Sequence, residues 1–426
     1  MVVGIMVGSG IFRTPGLVAR DLGRPGRVLL IWVLGGALAF MGALLFAELA
    51  TRLPRAGGKY VYAREAFGPR AGFVVGWVEG LGIYPTAIAA IAVVCGEYLG
   101  RMGGWADGEA GAALARLAGV GFVALFTAVN LIGVASGRWV QNVVTAAKVL
   151  ALGGVVVIAL AAGSGAGWRG ALPGAPTGKD AWVALAVAFQ AVIWTYYGYA
   201  DAAKIAEEVV EPQRTLPRVL LGGITVATAL YLLLNAAFLH VLPLDRLAAS
   251  NLAAGDVADA IFGAAGATIL AAIALLVVLA SLNGNVFVTP RVLFGLARDG
   301  LGPASLARVN RGGTPWAAML AVGVVAAGLA ATGTFEKLLG LAIALVLLID
   351  GFAVVTLFPL RAREPGAPFH APLGAFLPLA VIGIHAALLA GMAIASWRTV
   401  AVAGAVIAVT YGVSAVGKRE TRNGTR

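Results

Sequence analysis

The sequence predicts an all-α integral membrane protein, a single domain over residues 1–426 with about twelve transmembrane helices. Three observations carry that reading. Of the 426 residues, 60% are hydrophobic and only 12% charged, with a mean hydropathy of +0.92. No soluble core could hide so much apolar surface, whereas lipid accepts it on every face of a helix. Apolar runs of spanning length recur along the whole chain, divided by Pro, Gly and charged residues. Two of those runs, the first and the sixth, are interrupted by glycine.

In order, the runs are Met1 to Arg20, Val28 to Leu49, Ala71 to Leu99, Leu117 to Ala135 and Val140 to Ala162. They continue with Trp182 to Ala203, Val219 to Val241, Ala265 to Val288, Trp316 to Ala331 and Phe335 to Leu360, then Leu373 to Ser396 and Val400 to Val416. The first has fewer than half a membrane thickness before Gly8 at about 1.5 Å rise per residue, so the natural chain is expected to begin upstream. No basic region or cleavage signature marks a removable signal peptide. Gly57 to Gly68 is too polar to span, and its Tyr60, Tyr62 and Phe67 suit a short interfacial helix lying on the bundle. Pro212 and Pro217 are expected to close a charged extension of the sixth helix carrying Glu207, Glu208 and Glu211, and Arg291 to Gly300 to prolong the eighth.

A formal charge of +11 would suit a nucleic-acid partner if it were clustered, but the basic residues are scattered over short loops. With a cytoplasmic N-terminus, the inner loops and tail hold about nineteen Lys and Arg against about ten outside, so both termini are expected in the cytoplasm of a cell-membrane protein. The lone cysteine, Cys95, rules out an intrachain disulfide and reads as a packing residue. His240 and His385 are isolated, with no metal-ligand spacing, and no cofactor is implied.

The two interruptions carry the functional signal. Gly8-Ser9-Gly10-Ile11-Phe12 breaks the first span, and Thr195-Tyr196-Tyr197-Gly198-Tyr199-Ala200-Asp201 breaks the sixth, five spans later. Unwound backbone at membrane depth is tolerated only where it lines a cavity. Matched breaks point to an inverted-repeat transporter, with a first repeat at about 1–162, a second at about 182–360, and extra helices at about 373–416. Free N–H groups at such a break suit a carboxylate and free C=O groups an ammonium, so a zwitterionic amino acid fits. The alternative is that the glycines only permit close helix packing.

These residues, together with Ala47-Glu48-Leu49, Pro54, Gly57-Gly58-Lys59-Tyr60, Glu207-Glu208, Pro212, Asn283-Gly284, Arg291 and Ala297-Arg298-Asp299-Gly300, resemble the amino acid-polyamine-organocation superfamily of permeases. The resemblance covers essentially the whole chain. It implies the leucine-transporter-type fold, a 5+5 inverted repeat with helices 1 and 6 broken, and transport of α-amino acids. It also implies a substrate site at Met6, Gly8, Ser9, Gly10, Ile11, Trp194, Tyr197 and Gly198. Ser9 and Gly10 would cradle the carboxylate, the carbonyls of Met6, Trp194 and Tyr197 would take the ammonium, and the Trp194 side chain would gate the substrate. Lys148 would stand in for a sodium ion, touching the backbone near Gly4 and the segment around Ala280 and Ser281. Sodium dependence would then be absent, and reversible protonation of the buried amine would couple transport to protons; the same geometry serves an exchanger.

Lys148 alternatively snorkels to the headgroups, and Trp194 is alternatively an ordinary buried aromatic. Asp350 and Glu79 also lie at membrane depth, each a proton site, a counter-charge for a cationic substrate, or the partner of Lys148 or a loop arginine. Asp201 either serves such a site or caps a half-helix, and Glu48 is expected to anchor the loop that follows it. A membrane enzyme would need clustered carboxylates or a Ser/His pair, and a channel charged rings or filter repeats; the sequence displays neither. The expectation is alternating-access transport of neutral or small amino acids, proton-coupled or by exchange. The alternative is a cationic amino acid or polyamine transporter, and a sodium symporter ranks behind both.

Overall fold

The computed structural model describes residues 6–55, 57–105, 108–132, 137–200 and 209–423, and among them it is entirely helical, without strands. Gly4, Asp201, Glu207 and Glu208 lie outside the described residues. The helices are α1 (Gly10–Leu22), α2 (Pro25–Arg52), α3 (Lys59–Phe67), α4 (Pro69–Gly103), α5 (Gly108–Ile132), α6 (Gly137–Ala162) and α7 (Gly178–Tyr196). Then come α8 (Pro212–Val241), α9 (Leu244–Ala249), α10 (Ala253–Val288), α11 (Pro290–Arg298), α12 (Trp316–Thr332), α13 (Phe335–Val355), α14 (Leu357–Arg363) and α15 (Phe376–Asn423). Among the described residues, eight helical stretches are long and apolar enough to cross a membrane, and two shorter apolar helices, Asp180–Tyr196 and Trp316–Thr332, accompany them.

Local chemistry explains the boundaries. Proline at the first helical position starts α2, α8 and α11, where its missing N–H costs nothing. Left-handed Gly23 and Gly104 end α1 and α4. The last predicted pair of spans is a pair of helical segments within α15 that meet at a kink at Ser396, a residue with non-helical dihedrals. Pro217 does not lead into the seventh span as expected but lies buried inside α8, which starts at Pro212, a turn or two earlier than the apolar run. Arg291 and its neighbours do prolong the eighth span, as α11.

Four of the packed pairs join helices far apart in sequence. α1 packs on α7, α2 on α8, α4 on α10, and α5 on α12. The first and third of these pairs enclose the centre of the molecule. Short α9 lies across α1, so close that a Cβ on Gly16 would collide with the Ser250 carbonyl.

Two expectations about loops need correction. Helix α3 does not merely rest on the bundle but packs into it, with Lys59, Tyr60, Val61, Tyr62, Ala63 and Ala66 all buried and Phe67 exposed. Gly57 (φ 121°) and Gly58 (φ 67°) adopt dihedrals that L side chains avoid, and this turn drives α3 back into the bundle. Glu48 does not anchor the loop that follows it alone. Fully buried, it accepts hydrogen bonds from Arg52 (2.8 and 3.0 Å), Arg361 (2.6 and 2.9 Å) and the Ala371 amide (2.9 Å), tying α2 to α14 and the start of the α15 connection.

Removing one partner of such a buried cluster strands the others. Glu48→Gln is expected to destabilise the fold by about 3 kcal/mol, since two guanidinium groups lose their carboxylate. Thermal unfolding of the purified protein checks this; a melting temperature equal to wild type would show that the cluster contributes no stability.

Candidate functional site

Two breaks meet at one cavity. The chain is helical at Met6, bends through Val7, Gly8 and Ser9, and re-enters a helix at Gly10. The first amides of α1 tied back to the chain are those of Phe12 and Arg13, both on the Ser9 carbonyl at 3.3 and 3.1 Å. The preceding amides are the orphan donors that every helix N-terminus leaves. Opposite, α7 stops at Tyr196. Tyr197 is extended (φ −66°, ψ 148°) and Gly198 takes φ 113°, a value that favours glycine.

Between them lies a cavity bordered by Met6, Gly8, Ser9, Gly10, Trp194, Tyr197 and Gly198. Tyr84, Ala87 and Ile91 of α4 and Ser281 and Asn285 of α10 complete its wall. None of these side chains is ionised at neutral pH. Seven of the eight residues expected at the site are thus brought together; Ile11 is not, being fully buried in the apolar core instead.

The half-helices are held in register by polar contacts that the sequence reading did not anticipate. The Thr14 and Thr195 hydroxyls lie 2.9 Å apart between α1 and α7, so that one donates to the other while the second donates to its own helix, at the Gly10 carbonyl for Thr14 or that of Ala191 for Thr195. A Cβ on Gly10 would fall 2.6 Å from Thr195 Oγ1 and 2.8 Å from its Cα, so glycine is required for this approach. Tyr231 of α8 directs its hydroxyl at the carbonyls of Met6 (2.8 Å) and Thr195 (3.0 Å), clamping both breaks. The Trp194 carbonyl accepts the Tyr197 amide at 3.2 Å. The Met6 and Trp194 carbonyls therefore each keep one lone pair for a ligand rather than two.

On one side of the cavity the Trp194 ring packs edge-on against Phe335 (6.1 Å), whose face carries the Arg13 guanidinium at 5.2 Å from the ring centroid. Arg13, 4% exposed, reaches Glu97 of α4 (3.1 Å), Glu336 of α13 (2.9 Å) and Asn251 beside α9 (2.7 Å). Four elements thus close over this side through one arginine. The sequence reading missed it because Arg13 sits among apolar residues only three positions beyond the break, with all its partners distant in sequence.

On the opposite side, Lys59 of α3 lies between Asp350 of α13 (2.6 Å) and Glu79 of α4 (3.2 Å) and donates to the Tyr197 hydroxyl (2.8 Å). Of the alternatives open for Asp350 and Glu79, pairing with a cation is seen, but the cation is Lys59 rather than Lys148 or a loop arginine. Further toward that end, Arg64 pairs with Asp299 beyond α11 (2.5 Å), and Tyr60 donates to the same carboxylate at 3.2 Å. Burial, then the Asp299 carboxylate, pushes the Tyr60 phenol well above its ordinary value, so it stays a donor.

Lys148 of α6 is 3% exposed and does not snorkel. Its ammonium faces the Val7 carbonyl in the first break at 3.5 Å. Ser281 belongs to the cavity wall and makes no hydrogen bond to Lys148, so that expected contact is replaced by Val7.

A profile of the family described as amino acid permease matches residues 1–421. The chain belongs to the amino acid permease family. The permease is 29% identical over 390 residues to the serine/threonine exchanger SteT of Bacillus subtilis (strain 168), covering 90% of this chain and 86% of that one. It is 30% identical over 389 residues to the b(0,+)-type amino acid transporter 1 of Mus musculus, covering 90% and 78% respectively. Asc-type amino acid transporter 1 of Mus musculus is 29% identical over 394 residues, with 90% and 72% covered. These relatives are transporters, and the permease is a membrane transporter of amino acids rather than an enzyme.

The close approach at Gly10 provides a test of the site. Gly10→Val is expected to separate α1 from α7 and to lower amino acid uptake by the permease at least tenfold, with a stability loss of about 1–3 kcal/mol. Radiolabelled uptake normalised to folded protein measures both effects, and wild-type uptake would show that this contact does not shape the cavity.

Proposed function

We propose that the permease carries neutral, preferentially small amino acids across the cell membrane by alternating access, without sodium. The observation that carries this reading is the uncharged cavity shared by both breaks. Amides at the start of α1 present donors to a substrate carboxylate, while the remaining lone pairs of the Met6 and Trp194 carbonyls and the Tyr197 carbonyl accept its ammonium. Gly8, Ser9, Gly10 and Gly198 allow the backbone to approach. Tyr84, Ala87, Ile91, Ser281 and Asn285 then meet the substrate side chain, and their small, apolar or neutral polar character favours a side chain of the same kind. No carboxylate lies among them to balance a cationic side chain. The serine/threonine specificity in the name of one relative points the same way.

In this reading the described helices form twelve spans, and the packing of α1 on α7, α2 on α8, α4 on α10 and α5 on α12 reflects a two-fold relation between halves of five spans each. Both termini then lie in the cytoplasm, so the Arg13 cluster closes the outer side and the Lys59 and Arg64 clusters the inner side. Each cluster joins elements of both halves and must part for its side to open. Trp194, held by Phe335, occludes the outer approach. Lys148 supplies a fixed positive charge against the first break, where a bound cation would otherwise compensate the free carbonyls.

Counterflow of labelled serine, alanine or leucine into liposomes carrying the purified protein tests the assignment. Exchange is expected to be equal in sodium and choline buffers; dependence on sodium would refute the role of Lys148 as its substitute. Lys148→Ala is expected to cut the exchange rate at least tenfold. Trp194→Ala is expected to lower turnover with a smaller change in half-saturating concentration, and wild-type kinetics in that variant would exclude a gate at this residue.

A further inference from the structure

The cluster below the cavity contains more acid than base. Lys59, Glu79 and Asp350 are 2%, 0% and 3% exposed, and with all three ionised they carry one uncompensated negative charge. An unbalanced buried carboxylate is strongly unfavourable, and such groups bind a counter-ion or a proton instead. The ammonium does not serve both acids equally, Asp350 lying 2.6 Å from it and Glu79 3.2 Å, and neither Glu79 oxygen nor Asp350 Oδ1 receives a well-directed hydrogen bond. Every other titratable group facing the cluster is neutral in its usual state. These are Tyr62 of α3, Tyr197 and Tyr199 at the second break, and His385 of α15. The Tyr62 hydroxyl is itself buried without a partner. Aromatic rings of Phe46 and Tyr197 complete the ammonium's surroundings, their centroids 5.8 and 5.2 Å from it.

We propose that Lys59, Glu79 and Asp350 form a proton-binding site in which the two carboxyl groups share one proton, taken up from water and released to water once per transport cycle. The proposal rests on the transport reading above and names its coupling ion. The chemistry is a reversible proton addition: a carboxylate oxygen takes H⁺ to become a carboxylic acid, and returns it on the other side of the cycle. Glu79 receives the proton, having the weaker claim on the ammonium. Its position on a π-helical stretch of α4, Val78–Ile83, is the local irregularity that turns it inward.

Linkage to substrate runs through Tyr197. Its hydroxyl takes one of the three donors of the Lys59 ammonium, and the same residue borders the substrate cavity at the second break. A substrate that shifts the unwound segment changes how the ammonium is divided between the phenol and the carboxylates. The number of protons the carboxylates hold changes with it, which is thermodynamic coupling between two sites.

The test uses the full-length protein in liposomes with trapped pH dye. Counterflow of labelled serine at equal pH on both sides first establishes transport. Net serine entry is then expected to acidify the lumen by one proton per serine, and an inward proton gradient to accelerate it. Glu79→Gln and Asp350→Asn are each expected to reduce that ratio at least tenfold while counterflow stays detectable. Lys59→Gln is expected to move the midpoint of the uptake pH profile by about one unit or more. Should these variants fail to fold, calorimetry on the wild type in two buffers of different ionisation enthalpy counts the protons bound with serine, and a count near one is expected. Counterflow without acidification, or a proton count of zero, overturns the proposal; absence of counterflow for serine, alanine and leucine alike overturns the transport reading beneath it.

Discussion

Peptide groups freed inside a membrane must find partners, and the centre of this permease is organised by that constraint. Two helices stop midway, and their loose ends face each other. Tyr231 bridges the carbonyls of Met6 and Thr195, Thr14 meets Thr195, and Lys148 faces Val7. Each contact satisfies a group that lipid would leave bare, at a cost of about 1–3 kcal/mol for every one left unmade. The amides at the start of α1 and the remaining lone pairs of the Met6 and Trp194 carbonyls are left at the breaks, beside the cavity.

The closures on either side follow from the same arrangement. Arg13 emerges three residues past the first break and gathers Glu97, Glu336 and Asn251 from three separate elements. Lys59 gathers Glu79, Asp350 and Tyr197 on the far side. Both are single cations reaching several partners in low-dielectric surroundings, where ionic contacts are strong but expensive to form from separated, hydrated charges. Such contacts suit an element that must be either fully made or fully broken.

Most of the architecture was legible in the sequence because its governing signals are local. Apolar runs gave the helices, and glycines beside Ser9 and Tyr197 marked the breaks. Less legible were features built from long-range partners. Lys59 fell on an expected interfacial helix because GGKYVYAREAFG is polar in composition; the two positive-φ glycines send α3 inward, and Lys59 is a buried cation. That Asp350 and Glu79 share this cation was hidden for the same reason. Pro217 inside α8 and the burial of Ile11 away from the cavity were likewise beyond the pattern, since each is decided by neighbours from distant segments.

The wide turn at Val78–Ile83 has a further consequence for how one helix serves two masters. Within it, α4 presents Glu79 to the ionic cluster; just past it, Tyr84, Ala87 and Ile91 look onto the cavity. An uninterrupted α-helix has a fixed angular step, so these two surfaces would be locked in phase. The surplus residue rotates one against the other, and lets the protein tune its acid-bearing face and its cavity-lining face as separate parts of a single rod.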